Sequence, residues 1–215
     1  SYTAQAFITT DLDDNQITAF HPGAMSYSHL NQVADVDGAT LAIVAPDGRD
    51  GMLQHARDLA AAGVPFVFDP GQGLPMFSGD ELTEFMRLAT YACFNDYEAK
   101  LLCDRTGRSL EELATMVEAL IVTRGGAGSH IHAGGRCMDI PCVAAAAVVD
   151  PTGCGDAYRS GLLYGIAAGW DWEKTGRLAA VMGAIKIAHR GGQNHRPQRS
   201  EIAELYGRAF GSAPW

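Results

Sequence analysis

One stretch of the sequence combines residue types that can bind phosphate and move a proton. It spans residues 148–165 and reads VVDPTGCGDAYRSGLLYG. Gly153 and Gly155 allow backbone conformations that are closed to other residues, and they let a ligand approach the main chain closely. Apolar residues at helical spacing follow, so the N–H groups of Cys154, Gly155 and Asp156 are predicted to lie at a helix N-terminus. Unpaired donors and the helix dipole favour an anion there, and the expected anion is a phosphate.

Asp156 adds the means to move a proton. The helix N-terminus favours its ionised form, and the carboxylate could accept a proton from a hydroxyl beside the phosphate. The alternative is that Asp156 only caps the helix while the glycines only form a tight turn, and composition alone gives the two interpretations equal weight. Arg159, one helical turn later, faces either the phosphate or the solvent.

The rest of the chain supplies the elements that must position this stretch. From residue 40 onward, short apolar runs alternate with helical periods. This pattern is typical of βαβ units and a mostly parallel sheet, so the predicted class is α/β. Predicted strands lie at 41–45, 65–69, 91–94 and 120–123, with an antiparallel pair at 129–132 and 137–143. Predicted helices lie at 51–62, 80–88, 97–103, 110–119, 157–168, 172–189 and 200–210. Before them, residues 4–10 and 16–20 are predicted to form a hairpin around the turn DLDDN.

Composition excludes several classes of function. With 25 acidic and 16 basic side chains the net charge is −9, which argues against nucleic acid and anionic membrane as partners. No apolar run approaches the ~18 residues of a membrane span. The five cysteines include no C-x-x-C pair, so they indicate reduced thiols in a cytoplasm and neither a disulfide framework nor a zinc ribbon.

Polar residues at strand ends are further candidates, because ligands of parallel α/β sheets bind there. Asn95 and Glu98 form N-x-x-E at a strand-to-helix junction, and an amide with a carboxylate suits a hydrated Mg²⁺. The alternative, a helix cap with an exposed glutamate, is the one that the residues alone favour. Thr123 opens a glycine-rich stretch, for which the residues alone indicate no more than a hairpin loop. His130 and His132 share a strand face, but no third ligand is seen nearby and a metal site is not expected there.

The stretch DPTGCGDAYRSG resembles the D-T-x-G-A-G-D signature of the ribokinase/phosphofructokinase-B family of sugar and nucleoside kinases, with adenosine-kinase-like members the most similar. The resemblance implies a three-layer α/β/α fold with a mostly parallel sheet and a small β lid hairpin. It also implies an anion hole for the transferred phosphate at Gly153, Cys154 and Gly155, with Asp156 as the base on the acceptor hydroxyl.

The same resemblance implies a nucleotide site. Residues expected along the nucleotide or closing its adenine pocket are Asn95, Glu98, Thr123, Arg124, Gly125, Gly128, Gln193 and Asn194. Mg²⁺ is expected to be held through water by Asn95 and Glu98. A monovalent cation, K⁺, is expected on main-chain oxygens near Asp150, Thr152 and Gly191.

Taken together, the resemblance implies an ATP-dependent kinase acting on a primary hydroxyl, in the first place the 5′-OH of adenosine. A simple-sugar kinase and a non-catalytic nucleotide-binding domain are alternatives. A rival from another enzyme class makes Cys154 a thiol nucleophile whose pKa is lowered by the helix N-terminus, with His189 or His195 as its base.

Two expectations concern the organisation of the chain. Residues 1–25 are expected to be the lid segment, through which a homodimer could form, and residues 26–215 the nucleotide-binding domain. The family normally carries two βαβ units and a sugar-gripping Gly-Gly/Asn motif before the matching part. We find no equivalent in this sequence and expect these units to be missing.

Overall fold

The structure, a computed structural model, describes residues 1–10 and 16–215. The strands within these ranges are β1 (Gln5–Thr10), β2 (Gln16–His21), β3 (Ala42–Val44), β4 (Phe66–Phe68), β5 (Tyr91–Asn95), β6 (Ala119–Thr123), β7 (Ser129–Ala133) and β8 (Arg136–Ile140). The α-helices are α1 (Arg49–Ala61), α2 (Gly79–Leu88), α3 (Asp96–Thr106), α4 (Leu110–Ala114), α5 (Cys154–Ala167), α6 (Trp172–Ile187) and α7 (Arg199–Phe210).

The strands form two sheets. β1 and β2 pair antiparallel as the predicted hairpin, whose turn DLDDN lies outside the described residues. The larger sheet has the order β3-β4-β5-β6-β7-β8, in which β3, β4 and β5 pair in parallel. β6, β7 and β8 pair antiparallel. This confirms the α/β class with its parallel strands, edge hairpin and small separate sheet.

The chain divides into two compact units, and every site residue predicted above lies in the second. The first unit comprises residues 1–92 and 100–117, and the second comprises 93–99 and 118–215. The first unit has an aromatic core, in which Phe68 stacks on Phe85 with 4.3 Å between ring centroids and Phe77 meets Phe85 edge-on. These three side chains are fully buried.

The second unit is organised by α5 and α6, which pack antiparallel at unusually close range. A Cβ at Gly161 would lie 2.7 Å from Ala179 Cα, and one at Gly165 would lie 2.5 Å from Thr175 Oγ1. A side chain at Gly161 would meet the backbone of α6, and one at Gly165 would meet the Thr175 side chain, so the close packing requires glycine at both places. α6 also contributes Leu178, Val181 and Ala184 to an apolar core that includes Val143 and Tyr206.

Several predicted bounds change for local reasons. The helix predicted at 110–119 ends at Ala114, where the Thr115 N–H is shared among three preceding carbonyl groups and the last turn tightens. The strand predicted to reach residue 143 ends at Ile140, because Pro141 has no N–H to donate. No α-helix in the described residues is long and apolar enough to cross a membrane.

Candidate phosphate and nucleotide site

The phosphate turn, residues 151–155, leads directly into α5 as predicted. Gly153 precedes the helix with φ +79° and ψ 7°, a left-handed conformation that side chains other than glycine rarely adopt. A Cβ at Gly153 would also lie 3.2 Å from the Cα and carbonyl oxygen of Gly192. The left-handed conformation therefore favours glycine at this position, and the close approach of Gly192 leaves little room for a side chain.

Of the first three N–H groups of α5, one forms a hydrogen bond within the protein and two are available for a ligand. The Cys154 N–H donates to the Pro151 carbonyl at 3.1 Å and so closes the turn. No backbone carbonyl in the described part of the chain accepts from the N–H groups of Gly155 and Asp156, and both residues are exposed. The anion-binding end of a 14-residue helix thus faces outward.

Arg159 reaches back over this helix end. Its Nη1 lies so close to Gly155 that a Cβ there would overlap the guanidinium. The structure therefore favours the first of the two orientations considered for Arg159. The guanidinium adds a fixed positive charge beside the two exposed N–H groups.

Asp150 ties the phosphate turn to the loop that follows α6. Its carboxylate accepts from the Gly191 N–H at 2.7 Å and from the Thr152 N–H at 2.9 Å. These hydrogen bonds, with a smaller contribution from the charge of Lys186, lower the pKa of Asp150 to about 2. Asp150 is therefore ionised at neutral pH and holds the two loops together.

The Cys154 thiol does not have the properties of a nucleophile. Burial raises its pKa above the ordinary value, and the charges of Asp150 and Asp156 act in the same direction. Its sulfur lies 3.8 Å from the Asp150 carbonyl oxygen, while His189 directs its Nδ1 to the Ile185 carbonyl. The predicted lowering of the thiol pKa is wrong, because loss of hydration outweighs the lowering effect of the Lys186 charge.

A second turn, the glycine loop (residues 123–128), follows β6. Thr123 Oγ1 donates to the Phe94 carbonyl at 3.4 Å, which links the ends of β6 and β5. Arg124 donates to the Ala127 carbonyl at 3.0 Å and to Asp139 Oδ1 at 2.7 Å. Gly128 has φ +85°, and a Cβ there would overlap the Ile140 carbonyl oxygen.

One pocket joins the glycine loop to the phosphate turn. Its volume is about 460 Å³, and its lining is mostly apolar. Thr123, Gly125 and Gly128 form part of one wall, and Cys154 and Gly155 form part of another. A larger pocket of about 740 Å³ shares the segment 142–145 with the first but contains no residue of either turn.

Asn95 and Glu98 form a reciprocal cap at the start of α3. Asn95 Oδ1 accepts from the Glu98 N–H at 2.7 Å, and Glu98 Oε2 accepts from the Asn95 N–H at 2.8 Å. The capping alternative is thus realised geometrically, but Glu98 is buried and not exposed as that alternative assumed. Asn95 is the last residue of β5, so the pair lies at a strand end.

Gln193 and Asn194 do not line the pocket that holds the two turns. Both are exposed, and Asn194 donates to the Arg190 carbonyl at 2.8 Å. The pocket wall formed by α6 instead consists of Ala180, Gly183, Ala184 and Ile187.

Two residues near the site escaped the sequence reasoning. Tyr158 is buried, and its hydroxyl lies 2.8 Å from Ser129 Oγ, which fixes α5 against the first residue of β7. Burial raises the Tyr158 pKa, so the phenol stays protonated. Lys186 is completely buried in the last turn of α6. It stands seven residues after the buried Ala179 on the same helix face, and a lysine on such a face is the signal that could have found it.

Comparisons with known proteins agree on one family. A family model described as "pfkB family carbohydrate kinase" matches residues 2–199. The curated nucleoside kinase of Methanocaldococcus jannaschii is 34% identical over 204 residues, which cover 94% of this chain and 66% of that protein. The ribokinase of Lactococcus lactis is 29% identical over 211 residues, covering 93% of this chain and 66% of the relative.

Solved structures give the same answer. The nucleoside kinase of Burkholderia thailandensis in complex with inosine superposes with a TM-score of 0.96 at 58% identity, covering 99% of this chain and 70% of that one. The Methanocaldococcus jannaschii nucleoside kinase gives 0.89 at 30% identity, covering 96% and 68%. The chain thus spans about two thirds of the length of the relatives it matches.

Proposed function

Because the chain belongs to the pfkB family of carbohydrate kinases and has its ribokinase-like α/β fold, we propose that it transfers the γ-phosphate of ATP to the primary hydroxyl of a nucleoside. The Burkholderia thailandensis relative is a nucleoside kinase with structures in complex with inosine and with ADP-inosine, which supports a purine nucleoside as acceptor. The adenosine 5′-OH remains the acceptor predicted from the sequence, and inosine is the competitor to test beside it.

The observation that carries this proposal is the shared pocket of the two turns. A nucleotide in the pocket would lie along the glycine loop, and its terminal phosphates would reach the exposed N–H groups of Gly155 and Asp156. A single apolar pocket that ends at an anion-binding helix terminus matches the shape and charge of ATP.

The chemistry follows from the groups at the start of α5. Asp156 takes the proton of the acceptor hydroxyl, whose oxygen bonds to the γ-phosphorus as the bond from phosphorus to the ADP oxygen breaks. The N–H groups of Gly155 and Asp156, together with the Arg159 guanidinium, stabilise the negative charge on the transferring group. The glycine at 153 keeps the turn open to the phosphate.

Mg²⁺ fits the donor set at the end of β5. Asn95 and Glu98 hold each other through one oxygen apiece, which fixes an amide and a carboxylate at a strand end where they can bind metal-bound water. When bound, Mg²⁺ would neutralise phosphate charge. K⁺ is not part of the proposal, because the Asp150 carbonyl expected to bind it accepts a hydrogen bond from the Lys186 ammonium at 2.9 Å.

The test is a phosphorylation screen with ATP against adenosine, inosine and ribose. We expect 5′-monophosphates of purine nucleosides as products. Asp156→Asn should lower kcat by about 10²–10⁴ with little change in ATP affinity. Glu204→Gln, an exposed carboxylate change on α7, is the matched control and should leave kcat unchanged. Phosphorylation of ribose alone would transfer the assignment to a sugar kinase, and ATP binding without turnover would make the chain a nucleotide-binding domain.

We also propose that residues 1–25 act as the lid and that residues 26–215 form the nucleotide-binding part. β1 and β2 expose Phe7, Ile17 and Phe20, which supports pairing of two lids in a homodimer because a lone hairpin has little core. Light scattering of Phe7→Ser, Phe20→Ser protein should then report a monomer. A cytoplasmic location fits the five cysteines, which form no disulfide in the described residues.

A further inference from the structure

Lys186 is a completely buried cation that binds two main-chain oxygens. Its Nζ donates to the Asp150 carbonyl at 2.9 Å and to the His189 carbonyl at 3.0 Å. In the described residues no carboxylate forms an ion pair with it. A buried charge must be compensated by polar partners, so these two carbonyl dipoles and the C-terminal end of α6 hold the ammonium.

One carbonyl belongs to the segment that leads into the phosphate turn, and the other belongs to the loop that follows α6. Asp150 leads into the turn, and His189 begins the loop that packs against Gly153 through Gly192. The carboxylate of Asp150 joins the same two segments through the N–H groups of Thr152 and Gly191. Two charged groups therefore hold the segments together. The Asp150 carboxylate accepts an N–H group from each segment, and the Lys186 ammonium donates to a carbonyl of each.

The packing of α5 on α6 fixes where this ammonium lies. Gly161 faces Ala179 and Gly165 faces Thr175, so the antiparallel register brings the start of α5 beside the end of α6. A Cβ at Gly153 would accordingly lie 3.6 Å from Lys186 Cε. The lysine can order the phosphate turn without contacting a substrate.

We propose that Lys186 is a tethered replacement for a monovalent cation at the phosphate turn, so that turn geometry, and with it nucleotide binding, is independent of K⁺. The inference rests on the proposed kinase function for its activity readout. An ammonium is a compact charge with three donors, and carbonyl oxygens bind it as they bind an alkali cation. Because the charge is covalently attached, no ion has to be captured from solution, and the site is preorganised.

The experiment compares wild type, Lys186→Ala and Lys186→Met in KCl, NaCl and LiCl at matched ionic strength. Wild-type rate and ATP affinity should not depend on the cation. Lys186→Ala should lose about 10- to 100-fold in ATP affinity, the order expected for hydrogen bonds of a charged group, and should recover with K⁺ or methylammonium but not with Li⁺. Lys186→Met fills the space without a charge, so it should lose affinity and show no recovery. Lys174→Ala, a change at a partly exposed lysine in the first turn of α6, is the control for ATP affinity.

Thermal unfolding provides a readout that needs no turnover. The midpoint of Lys186→Ala should rise in K⁺ relative to Li⁺, while those of wild type and Lys186→Met should not. Several-fold stimulation of wild type by K⁺ would overturn the inference, as would a Lys186→Ala protein whose loss is the same in every salt. If no variant or wild type phosphorylates any acceptor, the proposed function fails, and the cation-specific shift of the midpoint still decides this inference.

A different observation carries a second inference, at the hairpin of β7 and β8. His130 and His132 share one strand face, and the register places Cys137 opposite His132 and Asp139 opposite His130. His132 Nε2 lies 3.7 Å from Cys137 Sγ, and His130 Nε2 lies 3.1 Å from Asp139 Oδ1. The ligand atoms of the two histidines and Cys137 all lie within 4.8 Å of one another. The third ligand that the sequence order concealed therefore comes from the paired strand.

We infer that this face binds one Zn²⁺-type ion through His130, His132 and Cys137. Imidazole and thiolate are the ligands that Zn²⁺ prefers, and Asp139 can orient the His130 ring, since metal-bound histidines commonly bond a carboxylate through the other nitrogen. Zn²⁺ binding should be measured against a chromophoric chelator, and Co²⁺ should give a thiolate charge-transfer band. His132→Ala and Cys137→Ser should abolish both signals, whereas Cys142→Ser, a change at another exposed cysteine, should keep them. A Cys137→Ser protein with unchanged affinity and spectrum would overturn the inference.

Discussion

Replacing glycine by alanine should change the free energy of unfolding in opposite directions at two positions, because α5 packs closely on α6 at one of them only. Gly161→Ala places a methyl group 2.7 Å from Ala179 Cα and 2.9 Å from its nitrogen, and neither backbone atom can move without shifting a helix. Overpacking of this kind costs roughly 1–3 kcal/mol or more, while alanine gains about 1 kcal/mol over glycine in helix propensity. Because the obstructing atoms are backbone, we take the upper part of that range, and the net expectation is a destabilisation of about 1–2 kcal/mol.

Gly207→Ala in α7 is the matched control, because the nearest atoms to its new Cβ lie 3.8 Å away. The propensity gain is then unopposed, and the free energy of unfolding should rise by about 0.5–1 kcal/mol. Urea denaturation of both variants and wild type measures the two changes, with equal m-values required for the comparison. The packing argument is refuted if Gly161→Ala is as stable as wild type or if both changes have the same sign.

Three further predictions concern single groups of the site. Cys154→Ser should retain kinase activity, because the Cys154 N–H closes the turn and the pKa of the thiol is raised; loss of turnover would restore the thiol mechanism. Asp150 has a pKa of about 2 against an ordinary 3.8, so the stability that its carboxylate contributes is complete above pH 3.8 and disappears as the pH falls towards 2. Acid unfolding of Asp150→Asn should lack this pH-dependent loss of stability, and identical acid titrations of variant and wild type would contradict the prediction. Asn95→Ala and Glu98→Ala should raise the Mg²⁺ concentration needed for half-maximal rate. The control Ser109→Ala breaks the comparable cap of α4 and should lower stability alone. Equal Mg²⁺ curves for all three variants would leave Asn95 and Glu98 as a helix cap.

The sequence predicted the phosphate turn because glycine, proline and aspartate act locally. A glycine that precedes an amphipathic run usually forms a left-handed turn that leads into a helix. Gly153 adopts this left-handed conformation. The alternation of apolar runs with helical periods likewise predicted the βα order, since both signals arise within a few residues of each other.

What could not be predicted depends on residues distant in sequence. Cys154 was assigned a lowered pKa from the helix end alone, and only the packed structure gives the burial that raises it. Lys186 bonds a carbonyl 36 residues earlier, and Cys137 meets His132 only through strand register. The end of α4 at Ala114 also followed from a tightened last turn that no periodicity encodes.

The glycine contacts between α5 and α6 give the length of α6 a role as a spacer. They fix the sliding position of the two helices at Thr175 and Ala179, and Lys186 follows Thr175 by eleven residues, about three helical turns. One residue inserted between Ala179 and Lys186 would translate the end of α6 by about 1.5 Å along its axis and rotate it by about 100°, which would turn Lys186 away from Asp150. The spacing along α6 therefore sets the electrostatics at the opposite end of the helix pair. A residue inserted at 168–171 would be taken up by the turn and should be tolerated.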